Sequence, residues 1–139
     1  MENSNRCCFA KEFRPVMKKR KLVILIVDDS MSFIERMVSL LDEADNIGYI
    51  NVARNYAEAL KVFFEERPDV VLLDINLPDK SGIDLLRSIR EAGSNCEVIM
   101  VTNHTDKCYQ QQCTELGANY FLDKSNDFEL IPGIISKLN

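Results

Sequence analysis

Leu22-Val-Ile-Leu-Ile-Val-Asp-Asp29 is an unbroken apolar run that closes on two carboxylates. A short run of aliphatic residues without polar alternation reads as a strand buried on both faces, the habit of a parallel sheet. The pattern recurs along the chain. Val70-Val-Leu-Leu73 ends at Asp74, and Val98-Ile-Met-Val101 ends at Thr102. Tyr120-Phe-Leu122 leads through Asp123 to Lys124. In open parallel sheets, ligands bind just beyond the carboxyl ends of the strands. The carboxylates, hydroxyl and ammonium at these ends therefore converge on one site.

Helical signals fill the intervals. Strand 1 is expected over 22–27, with Ser30 capping a helix over 31–44 whose apolar positions are Phe33, Ile34, Met37, Val38, Leu40 and Leu41. Strand 2 is Tyr49-Ile-Asn-Val-Ala53. A second helix follows Asn55, with Ala57, Leu60, Phe63 and Phe64 inward, and Arg67-Pro68 stops it. Strand 3 covers 69–73, and Asn76-Leu-Pro-Asp-Lys-Ser-Gly82 is loop chemistry. A third helix runs from Ile83 to Ala92, with Leu85, Leu86 and Ile89 inward, ended by Gly93. Strand 4 covers 96–101, opening at a buried Cys96, and helix 4 covers 106–116. Strand 5 covers 119–122, and helix 5 covers 127–138 with Pro132 and Gly133 weakening its middle. Five β-α pairs with short right-handed crossovers give a doubly wound α/β sheet ordered 2-1-3-4-5.

Composition narrows the function classes. A chain of 139 residues with 46% hydrophobic residues is one domain with a core. No apolar run approaches the roughly 20 residues that span a bilayer, and no secretory leader is visible. The expected compartment is the cytoplasm. Residues 1–21 hold seven of the 17 basic residues and two of the 22 acidic ones, which leaves 10 basic against 20 acidic in 22–139. That acidic body argues against a nucleic-acid surface. Lys18-Lys-Arg-Lys21 reads as a solvated lead-in to strand 1. Residues 1–20 read as a disordered extension, and a start at Met17 would leave a compact domain. The five cysteines form no C-x-x-C pair and the chain has one histidine, which disfavours zinc. Cys7 and Cys8 read as exposed thiols in that tail.

Adjacent carboxylates at a strand end repel unless a cation sits between them. Asp28, Asp29 and Asp74 make an oxygen-only set that suits Mg²⁺. An aspartate is also a nucleophile toward phosphoryl groups, and Asp74 is the candidate. Lys124 can bind a phosphoryl oxygen as a point charge, and the Thr102 hydroxyl can donate to another. Each residue alone has an ordinary reading as a turn, cap, strand or surface residue. Their joint placement at the ends of one sheet is the signal.

These stretches, with Ser81-Gly-Ile-Asp-Leu-Leu-Arg87 and Leu116-Gly-Ala-Asn119, resemble the receiver domain of bacterial two-component response regulators over residues 21–139. The resemblance implies a flavodoxin-like fold and a phospho-acceptor at Asp74. It implies Mg²⁺ on Asp28, Asp29, Asp74 and the backbone carbonyl of Asn76, with Asp29 the direct ligand of the first pair. Thr102 then matches the switch hydroxyl, Phe121 the switch aromatic and Lys124 the motif lysine; Tyr120 is one register off. The implied partners are a sensor histidine kinase or phosphotransfer protein and a downstream protein target, with no direct nucleic-acid or membrane role. The implied chemistry is the chain's own phosphorylation and dephosphorylation, without enzymatic turnover. Three positions depart from the family pattern. Ser125 stands where proline usually follows the lysine, which implies a looser or displaced loop. Asn103 stands where a small residue is usual and crowds the phosphodonor's entrance. His104 borders the site at a position that affects phosphate lifetime, although its bland reading is simple exposure. The first reading is a stand-alone receiver whose output is binding to another protein. Two alternatives stay open: the receiver part of a longer regulator, and a small Mg²⁺-dependent phosphatase. Asn76 counts against the second, which usually needs an acid two residues after its nucleophile.

Overall fold

The computed structural model describes residues 20–138; the expected extension over 1–20, the start at Met17, Cys7 and Cys8 lie outside them, apart from Arg20. The strands are β1 (Leu22–Val27), β2 (Ile47–Ala53), β3 (Val70–Leu73), β4 (Glu97–Thr102) and β5 (Tyr120–Asp123). The helices are α1 (Met31–Leu41), α2 (Tyr56–Glu66), α3 (Gly82–Glu91), α4 (Lys107–Glu115) and α5 (Ile131–Ser136). The five strands form one parallel sheet ordered β2-β1-β3-β4-β5. Among the described residues no helix is long and apolar enough to cross a membrane.

Alternate residues of a strand point to opposite faces, so each apolar run feeds two cores. Leu25, Val27, Val71, Leu73, Val98 and Met100 pack under α2, α3 and Cys113 of α4. Ile24, Ile26, Val70, Leu72, Ile99 and Val101 pack under α1 and α5. This double burial explains why β1, β3 and β4 carry no polar alternation.

The elements differ from the sequence reading in instructive places. The α1 helix ends at Leu41, because Asp42 and Ala44 turn back on Ser39 and Leu41 through their N–H groups. Its Val38 lies exposed and its Leu40 half-buried, since Phe33, Ile34, Met37 and Leu41 already fill the inward stripe. On α2 the buried stripe is Ala59 and Phe63, while Ala57 and Phe64 face outward. Phe64 is 55% exposed and packs edge-on against Phe63. Two apolar stripes lie side by side on this helix, and crossing geometry rather than composition selects one. The expected helix over 127–138 is a 3-10 turn (Phe128–Leu130) followed by the shorter α5. Pro132 sits in the first turn of α5, where its missing N–H costs nothing. Cys96 is half-buried just ahead of β4, and among the described residues Cys113 is the fully buried thiol, its pKa pushed up to about 11 by burial.

Caps fix the elements around the sheet. Ser30, Asn55, Ser81 and Asp106 each accept an N–H from the first turn of α1, α2, α3 and α4. Asp79 adds a second cap to α2 from the β3–α3 loop, taking the Tyr56 N–H at 2.8 Å and the Ala57 N–H at 3.1 Å. The basic lead-in is partly engaged rather than wholly solvated. Arg20 grips Asp69 through both terminal nitrogens at 3.0 and 2.6 Å, and Asp69 also takes the Val23 N–H at 2.8 Å. That joins the starts of β1 and β3, and the Arg20 hydrogen bonds hold the Asp69 carboxyl below its ordinary range.

Candidate functional site

The carboxyl ends of β1, β3, β4 and β5 meet along one edge of the sheet. The first contributes Asp28, 1% exposed, and Asp29, which faces solvent. Asp74 follows β3 and is 6% exposed; Thr102 ends β4 and is fully buried. Lys124 follows β5, its N–H bonded to the Thr102 carbonyl at 2.9 Å. Gly82 allows the tight approach of α3 to this edge: its N–H donates to the Ile75 carbonyl at 2.7 Å. A Cβ on Gly82 would fall 1.9 Å from the Asp74 carbonyl oxygen.

The charged groups cluster. Oxygens of Asp28, Asp29 and Asp74 lie within 4.8 Å of one another. Lys124 Nζ bridges two of these residues, 2.6 Å from Asp28 Oδ2 and 3.2 Å from Asp74 Oδ2. The contact to Asp28 is an ion pair rather than an aligned hydrogen bond. The other Asp28 oxygen accepts the Ser30 N–H at 2.8 Å, and Asp74 Oδ1 accepts the Asn76 N–H at 3.3 Å. Arg54 donates to the Asp29 backbone carbonyl at 2.9 Å.

Burial raises the Asp28 pKa above the ordinary carboxylate value, even though Lys124 and the Ser30 N–H pull it down; the Asp74 charge adds to the rise. Burial lowers that of Lys124, yet Asp28 and Asp74 outweigh it and hold the ammonium above its usual value. One ammonium among three carboxylates leaves surplus negative charge in a half-closed crevice. Hard oxygen donors with that surplus fit a divalent cation such as Mg²⁺.

The flanking positions are also resolved. Thr102 Oγ1 accepts the backbone N–H of His104 at 3.1 Å, while the exposed His104 ring stands edge-on to Tyr109 on α4. Phe121 is half-buried and packs with the core on the α2–α3–α4 side, whereas Tyr120 is 38% exposed. Asn103 lines an open hollow of about 470 Å³ with Ser30, Ser32, Phe33, Arg36, Lys124 and Ser125. The loop after Lys124 carries its own ties in place of a proline. The Asp123 carboxylate accepts the N–H groups of Ser125 and Asn126 at 2.8 and 3.3 Å. The Asp127 carboxylate accepts the Asp123 N–H at 2.8 Å.

Sequence reasoning placed Phe33 in the core only. The structure sets its ring 4.7 Å from Lys124 Nζ, a relation between strand end and helix that no linear spacing announces.

The response regulator receiver domain profile matches residues 24–136, and the chain belongs to that family of two-component signalling domains. Across 104 residues it is 42% identical to a protein-glutamate methylesterase/protein-glutamine glutaminase of Bacillus subtilis, covering 73% of this chain and 29% of that protein. The chain spans under half the length of the curated relatives it matches. The signal receiver domain of the putative response regulator NarL from Mycobacterium tuberculosis superposes with a TM-score of 0.77 at 25% identity, covering 84% of this chain and 94% of that one. The Mn²⁺-bound response regulator Rcp1 superposes with a TM-score of 0.74 at 25% identity, covering 84% and 93%.

Proposed function

We propose that this receiver accepts a phosphoryl group on Asp74 from a histidine kinase or phosphotransfer protein and uses it to switch a protein-binding surface. The observation that carries this reading is the Asp74 carboxylate itself. It is 6% exposed, within 4.8 Å of two more acidic side chains, and 3.2 Å from the Lys124 ammonium. An Asp74 oxygen attacks phosphorus, a P–O bond forms, and the bond from phosphorus to the donor's nitrogen breaks. The donor nitrogen leaves with the electron pair of that bond. Asp28, Asp29, Asp74 and the Asn76 carbonyl would hold Mg²⁺, which supplies charge neutralisation between nucleophile and phosphoryl oxygens. Lys124 binds one phosphoryl oxygen.

The product adds roughly 1.5 to 2 negative charges and three strong acceptors at a nearly closed site. Thr102 leaves the His104 N–H and turns its hydroxyl to a phosphoryl oxygen. Phe121, half-buried on β5, takes the vacated space, which reshapes the surface of α4, β5 and α5. The chain turns over no separate substrate, works in the cytoplasm and binds no nucleic acid directly. A second reading makes this receiver the regulatory part of a longer regulator, and the 29% share of the Bacillus subtilis relative supports it.

The test incubates the chain with Mg²⁺ and a small phosphodonor, and reads phosphoprotein on a phosphate-retarding gel. Retardation that disappears on chelation is expected; retardation that survives chelation contradicts the metal's part.

A further inference from the structure

We propose that Phe33 is a positioning residue for Lys124: its ring forms the wall that holds the ammonium against Asp28 and Asp74, in a loop that lacks the usual proline. This rests on the phosphoryl-acceptor reading. Lys124 Nζ touches two carboxylates, at 2.6 and 3.2 Å, and stands over the Phe33 ring at 4.7 Å from its centroid. A cation over an aromatic face is attracted to it, most strongly where water is excluded. The Lys124 side chain is 14% exposed and Phe33 5% exposed, so the contact is mostly shielded from water although both residues border the open hollow.

The ring is itself fixed. Phe128 meets it edge-on, with centroids 5.8 Å apart and planes at 78°. The Arg36 guanidinium lies over the Phe128 ring at 4.3 Å, so the stack ends in a second cation. Phe128 is 8% exposed and opens the 3-10 turn that follows the Lys124 loop. The stack therefore closes a circuit from Lys124 through Phe33 and Phe128 back to the loop that carries Lys124. Ser125 places no ring constraint on that loop. The Asp123 and Asp127 hydrogen bonds hold its backbone, and Phe33 holds the working end of the lysine.

The test uses acetyl phosphate, whose small size removes any docking role of α1. In Phe33→Leu, which keeps apolar bulk but offers no ring face, the initial rate of Asp74 phosphorylation should fall roughly three- to thirty-fold, equivalent to about 0.7–2 kcal/mol. Mg²⁺ affinity measured without donor should stay within about twofold, and Phe33→Tyr should retain the wild-type rate within the same margin. A loss below threefold, an equal loss in Phe33→Tyr, or a parallel loss of Mg²⁺ affinity would overturn the proposal. A wild-type measurement covers the case in which Phe33→Leu fails to fold. The Lys124 ε-methylene protons should resonate upfield of an ordinary lysine, shielded by the ring; an ordinary position overturns the proposal. If wild type takes up no phosphoryl group, the acceptor reading fails, while the proton shift still decides whether the ring holds the lysine.

Discussion

At the scale of single residues, the site is a set of charges that the fold holds close at a cost. Asp28 is 1% exposed, and burial raises its pKa. A carboxyl whose folded pKa lies above its unfolded value favours folding in its protonated form. That contribution is complete below the unfolded pKa and is lost as pH rises through the folded one. Where Asp28 is ionised and no metal is bound, its charge therefore works against the fold despite its contact with Lys124. Asp28→Asn is expected to raise the thermal midpoint in metal-free buffer at pH 7 by roughly 2–5 °C, the shift that about 1 kcal/mol gives in a domain of this size. The same substitution should weaken Mg²⁺ binding. A lowered midpoint would show that the Lys124 ion pair outweighs the burial.

Between elements, the placing of Asp74 depends on how closely α3 can approach the end of β3. Gly82 is the point of contact, where a Cβ would meet backbone rather than a yielding side chain. Gly82→Ala must therefore push α3 or the Asp74 peptide aside, at roughly 1–3 kcal/mol or more. Denaturant unfolding measures the stability loss, and Mg²⁺ titration measures the displacement of Asp74. Stability within about 0.5 kcal/mol of wild type would mean that the loop yields freely. Helix limits were legible where a cap marks them, at Ser30, Asn55 and Gly93. They were not legible where two apolar stripes compete, as on α2, because the choice between Phe63 and Phe64 depends on how the helix crosses the sheet. Nor does a proline indicate by itself whether it interrupts a helix or sits in its first turn, as Pro132 does in α5.

For the molecule as a whole, double burial of the strands made the sheet readable. The apolar runs of β1, β3 and β4 exclude a one-faced sheet, and chemistry-bearing residues at their ends mark the edge that holds the candidate site. The polar members of the candidate site are thus legible from strand ends alone: there the structure brings Lys124 into contact with Asp28 and Asp74 and sets an Asp29 oxygen within 4.8 Å of theirs. What surrounds them was not legible. Phe33 reaches Lys124 from α1, and Asp127 holds the loop from four residues beyond Asp123. The first is a tertiary relation between a helix and a strand end; the second is a local turn contact between residues whose types suggest surface.

Whether Asp74 carries the phosphoryl group is decided by locating that group. After reaction with a small phosphodonor and Mg²⁺, the acyl phosphate is trapped by borohydride reduction and mapped by peptide mass spectrometry. The reduced residue should be position 74 alone, and Asp74→Ala should show no trapped product. Phosphorylation mapped to another residue, or uptake unchanged in Asp74→Ala, would contradict the account.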